Sequence, residues 1–167
     1  LIVDNGTTIY APAGLELRAQ ATDAAKMGTI LAGHTLQVKI TLSNGAKFDS
    51  SAPAPALVAQ FLQGTETGGA PGALTVVGTP YYSASGSELN FTYTATAAGS
   101  DLANPAYTLQ INGLQITNLV EALKIGNQLQ AEITVQNVST GGQQILAASQ
   151  TIARSVWGEY AKVIANP

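Results

Sequence analysis

The side chains able to do acid–base or metal chemistry are few in this sequence, and they stand far apart. One histidine and no cysteine leave the 167-residue chain without the nitrogen and sulfur donors of a zinc site. A catalytic role for His34 requires a nucleophile and an orienting acid, and no Gly-x-Ser-x-Gly elbow is present. His34 therefore reads as a loop residue in Ala32-Gly33-His34-Thr35, at the start of a strand. The ten carboxylates are scattered. Glu66, Glu88, Asp101 and Glu132 have no neighbours that single them out, and only separation in space defines a glycosidase pair. Asp4-Asn5-Gly6 and Asp49 fall in loops without the alternating acidic ligands of a calcium site. Gly68-Gly69-Ala70-Pro71-Gly72 lacks the Lys-Ser/Thr and the following helix that make a phosphate cradle. These residues assign no catalytic, cofactor-binding or metal-binding role, and no cofactor is expected.

The aromatic residues support two readings. Tyr81 and Tyr82, following Pro80 in an expected loop, could join Trp157 as a flat stacking platform for a glycan. The reading favoured here is that Trp157, the largest apolar ring in the chain, fills a pocket in the core or between subunits. Three Asn-x-Ser/Thr sequons begin at Asn5, Asn90 and Asn137, a pattern that a chain rich in Ser and Thr produces often by chance.

Composition narrows the partners. Only 10% of residues are charged, well below the usual quarter of a soluble domain, while Thr, Ser, Asn and Gln total 49. Seven basic residues, spread singly along a chain of net charge −3, offer no cluster for nucleic-acid phosphates. No apolar run approaches the ~20 residues of a spanning helix, so no membrane insertion is expected. The low-charge, Thr-rich surface and the absence of Met at position 1 fit a protein at the cell surface or outside the cell, after removal of a signal segment.

Period-two alternation dominates the elements that must position these residues. Thr35–Leu42, Ser87–Thr96 and Gln128–Val135 each place apolar residues on one face and polar residues on the other, the pattern of a half-buried strand. Their inward residues, Leu36, Val38, Ile40, Leu89, Phe91, Tyr93, Leu129, Ile133 and Val135, are expected to share one core. Weaker strands are expected at Leu15–Ala21, Ala73–Val77, Tyr107–Ile111, Leu114–Thr117, Gln144–Ile152 and Ser155–Ile164. Turns are expected at Ser43-Asn44-Gly45 and Asn112-Gly113, and loops at Ser50–Pro55 and Gly64–Gly72. Short helices are candidates at Thr22–Leu31 and Asn118–Lys124. The sum predicts an all-β fold, a two-layer antiparallel sandwich of jelly-roll or Ig-like type, with a closed barrel as the alternative. Residues 1–12 read as an N-terminal arm and 13–167 as one sandwich domain. In the arm, apolar Leu1-Ile2-Val3 precedes a polar hinge and then Ile9 and Tyr10. These five residues form the expected subunit interface, as a strand donated to another sheet; the alternative is that the strand pairs within its own sheet.

The strand ending Leu42-Ser43-Asn44-Gly45-Ala46-Lys47-Phe48, the strand Leu89–Thr96, then Leu109–Leu114 and Gly126–Leu129 together resemble secreted bacterial surface and filament-forming β-sandwich proteins. The layout is also similar to that of cohesin and Ig-like adhesin domains. The resemblance rests on turns and alternation across most of the chain, and it implies a noncatalytic extracellular role without carrying over functional residues. The expected function is a structural subunit of a filament, pilus-like fibre or surface layer, whose partners are copies of itself. The alternative is an extracellular module that binds carbohydrate or a surface protein.

Overall fold

The computed structural model describes residues 9–10, 15–18, 26, 29–50, 59–63, 74–95, 107–111, 114–117, 119 and 128–154. Leu1, Ile2, Val3, Asp4-Asn5-Gly6, Glu66, the glycine-rich loop, Asp101, Asn112-Gly113, Trp157 and the expected strand Ser155–Ile164 lie outside them, as do most of both helical candidates. Among the described residues eleven strands follow in chain order: β1 (Ile9–Tyr10), β2 (Leu15–Arg18), β3 (Thr35–Leu42), β4 (Lys47–Phe48), β5 (Ala59–Gln63), β6 (Leu74–Tyr82), β7 (Glu88–Ala95), β8 (Tyr107–Ile111), β9 (Gln115–Thr117), β10 (Gln128–Asn137) and β11 (Gln143–Arg154). Every ladder is antiparallel. The chain is all-β in class, as its alternation predicts.

The largest sheet has the order β11-β10-β3-β7-β6, and two three-stranded sheets have the orders β1-β9-β4 and β2-β8-β5. In the large sheet β3 and β7 bury alternate residues without a break, because their apolar side chains fall on one side of the pleat. Across the inner face Val38 stands opposite Phe91 on one side and Val135 on the other, and Ile40 stands opposite Leu89 and Ile133. All nine expected core residues belong to one buried cluster, which also takes in Phe48 of β4 and Leu114 and Ile116 at β9. Burial holds the Tyr93 phenol well above its ordinary pKa.

The turn at Asn44-Gly45 forms as expected. Both residues have positive φ, 56° and 74°, and the Ala46 N–H donates to the Ser43 carbonyl at 3.2 Å, the geometry that an Asn-Gly pair adopts readily. Here it does not close a hairpin: it turns the chain out of the large sheet and into β4, which pairs with β9.

Two strands depart from simple alternation. In β6 the ladder stops after Val77 and resumes at Tyr81, leaving Gly78, Thr79 and Pro80 opposite Phe91 alone. Proline has no N–H to give, so the strand bulges there and then continues. Tyr81 and Tyr82 thus lie in a strand, opposite Asn90 and Leu89, and the expected loop is corrected accordingly. In β11 Ile145 and Ile152 are each an extra residue relative to β10. The first of these bulges explains why the consecutive residues Ile145 and Leu146 are both buried. Two short elements, β4 and β5, have no counterpart among the expected strands.

Candidate functional site

The alternation that buries one face of the five-stranded sheet builds the other into an ordered polar surface. Pairing register assigns its rows. One row runs Tyr81, Asn90, Lys39, Thr134, Ala147 from the β6 edge to the β11 edge. The next runs Glu88, Thr41, Glu132, Ser149. Lys39 Nζ and Glu88 Oε1 bridge the two rows at 2.9 Å, half in water, where such a pair contributes under about 1 kcal/mol. Beside the second row, the short side chains Thr41, Ala147 and Ser149 leave a shallow depression of about 320 Å³, bordered by Ser43, Gln130 and Glu132.

The two tyrosines separate onto opposite faces, as neighbours in a strand must. Tyr81 turns outward and is 67% exposed beside the Asn90 row. Tyr82 turns toward the core, its ring centroid 6.0 Å from that of Phe48 at a tilt of 47°. Burial, and then the negative charge of Asp49, raise its phenol pKa. Of the three aromatics read as a platform, Tyr81 alone is placed on the outer face, and Trp157 lies outside the described residues.

Glu88 and Glu132 come into one row with Thr41 between them, two strand spacings or roughly 10 Å apart at the backbone. Glu132 is exposed and Glu88 partly so, and both offer hydrogen-bond acceptors on this face. Among the described residues no three His, Asp or Glu side chains cluster in a way that could hold a metal, and no helix is long and apolar enough to cross a membrane.

His34 belongs to a different place, the end of the sheet where β3 begins and β10 finishes. Its Nδ1 accepts from the Leu31 N–H at 3.1 Å and from Asn137 Nδ2 at 2.9 Å, so the ring proton sits on Nε2. Nearby, the Thr35 N–H donates to Ser139 Oγ at 2.9 Å. These bonds tie the turn before β3 to the turn after β10. Asn137 continues the inward series Leu129, Ala131, Ile133, Val135 and is fully buried, which sequesters the third sequon from any modifying enzyme in the folded chain. Asn90 is half exposed on the outer face.

The residues read as a subunit interface divide similarly. Leu1, Ile2 and Val3 lie outside the described residues, whereas Ile9 pairs with Ile116 and Tyr10 with Gln115 in the chain's own β9. No known protein family, characterised protein or solved structure matches this chain. Site assignments therefore rest on its own geometry.

The β11 edge completes the picture. Of its twelve residues only the last, Arg154, is charged, and among the described residues no strand pairs with its outer side, although β2 approaches it. An edge of that length without Lys, Glu or Pro has little to discourage further pairing except its two bulges.

Proposed function

We propose that the chain is a noncatalytic structural subunit of an extracellular filament or surface layer, linked to copies of itself by exchange of its N-terminal arm. The observation that carries this reading is the ladder holding the arm, which among the described residues consists of two pairs, Ile9 with Ile116 and Tyr10 with Gln115. Each backbone hydrogen bond in such a ladder contributes about 1 kcal/mol net, so opening these two pairs costs little. The next copy presents an identical β9, and pairing there restores the same bonds, the usual low-cost route of strand exchange. Donor and acceptor are different surfaces, so the contact is head to tail and propagates as an open fibre unless rotation closes a ring. Low charge across the chain keeps repulsion between copies small.

In this reading the described sheets form the layers of an antiparallel sandwich. Support comes from the edges: β5 runs near β6 and β2 near β11, so the β2-β8-β5 sheet flanks the five-stranded sheet at both sides. The arm then acts as a link between sandwiches.

The chain has no cysteine, which allows a direct test. Directly opposed residues in an antiparallel pair have Cα atoms ~4.5–5.5 Å apart, within reach of a disulfide. Ile9→Cys combined with Ile116→Cys, oxidised after concentration, should give a ladder of covalent multimers on a non-reducing gel and fibres by electron microscopy. Covalent monomers alone at every concentration would place the arm permanently in its own sheet and overturn the proposal.

A further inference from the structure

We infer that the outer face of the five-stranded sheet around Tyr81 is a binding platform for a neutral oligosaccharide. Its centre is an exposed ring in a regular position. Tyr81 is the most exposed of the large apolar residues described, and its register opposite Asn90 sets it at the end of a row of polar side chains. A tyrosine there leaves an apolar ring in water at a hydrophobic cost, yet it is not absorbed into the core as Tyr82 is.

The groups around it favour a polyol over other partners. A sugar hydroxyl both donates and accepts, and the face supplies each complement: Lys39 donates, Glu88 and Glu132 accept, and Asn90 and Gln130 do both. The Lys39–Glu88 pair sets a donor and an acceptor side by side on this face, 2.9 Å apart. Successive strands present them at ~4.8 Å intervals, a repeat that a chain of pyranose rings crossing the strands can follow. The depression bounded by Thr41, Gln130 and Glu132 gives room for a ring beyond the Tyr81 end. A protein partner would meet a face too polar to form an apolar interface core. In the two rows described, a nucleic acid would find one lysine, already matched by a carboxylate.

The platform is independent of arm exchange, since β1 and β9 form a separate sheet. The test is saturation-transfer NMR on the full chain, with neutral oligosaccharides of glucose, xylose, mannose and galactose as separate probes. The method works whether or not the chain is polymerised. At least one sugar should receive magnetisation on its ring C–H protons. Tyr81→Ala should weaken that binding about tenfold, near 1.4 kcal/mol, whereas Tyr81→Phe, which keeps the ring, should stay within about twofold. Both variants should melt with the parent chain, because the side chain stands mostly in water. No transfer to any of the four sugars, or equal binding by Tyr81→Ala, overturns the platform.

Discussion

Replacing Phe91 by alanine tests the inner face at its centre. Phe91 lies in β7, is 3% exposed, and stands across the ladder from Val38, which is itself fully buried between β7 and β10. Close packing on the inner face leaves little room for collapse into the space the ring vacates. Lost transfer free energy and the residual cavity together give a cost of ~3–5 kcal/mol. For a domain of this size each kcal/mol lowers the melting temperature by ~2–4 °C, so the expected fall is roughly 6–20 °C. Glu132→Ala provides the matched control: Glu132 is exposed on the outer face one residue before the buried Ile133, and its truncation should stay within about 0.5 kcal/mol. Urea unfolding followed by circular dichroism measures both, with an unchanged m-value showing that the compared states are the same. A neutral Phe91→Ala with a costly Glu132→Ala would mean that the two faces are exchanged, as a one-residue slip in register produces.

Two further outcomes follow from the same geometry. Tyr93 and Tyr82 hold their phenolic protons more tightly when folded than the ordinary value of 10.0, so their contribution to stability is complete below pH 10.0 and is lost as pH rises beyond it. Melting temperature should fall above that pH, less steeply in Tyr93→Phe, and phenolate absorbance from Tyr93 in a still-folded chain would contradict the assignment. At the β11 edge, Ser149→Lys with Thr151→Lys should reduce light scattering from side-by-side association while leaving the pairing of Ile9 with Ile116 as before; unchanged scattering would show that this edge is covered by other means.

What could be read in the sequence depended on whether one strand carried the whole signal. Thr35–Leu42 was legible to the residue because its four apolar positions alternate with polar ones and nothing interrupts them. The end of β6 was not, since Gly78 and Pro80 are turn residues by every local rule, and only pairing with β7 shows that the strand resumes after them. β11 was recognisable but blurred, because its bulge at Ile145 puts two neighbours on the same face. β4 is too short for a period to register. Asn137 reads as a sequon, although its position two residues after Val135 in the inward series is a signal that it is buried. The outer face was the least accessible of all. Tyr81, Lys39 and Glu132 come together through three separate ladders, and no segment of sequence contains that register.

The two proposals bear on each other through valency. One exposed tyrosine and a few polar groups make a shallow site, and a single copy should hold a sugar weakly. The proposed arm exchange would use β9, in a sheet separate from the proposed platform, so linking copies need not consume the binding face. A fibre of such subunits would repeat the platform along its length, and a polymeric glycan could then engage several copies at once. Each engagement after the first is intramolecular, so overall binding can strengthen by orders of magnitude without any new contact. The low charge of the chain is compatible with such repetition, since 10% charged residues leave little repulsion between copies. The consequence is measurable. A soluble oligosaccharide should bind the assembled and the arm-deleted chain, lacking residues 1–10, with the same weak affinity, whereas the corresponding polysaccharide should be retained far longer by the assembled form. Equal retention of the polysaccharide by both would show that assembly adds nothing to binding, and would separate the platform from the fibre as unconnected properties of the molecule.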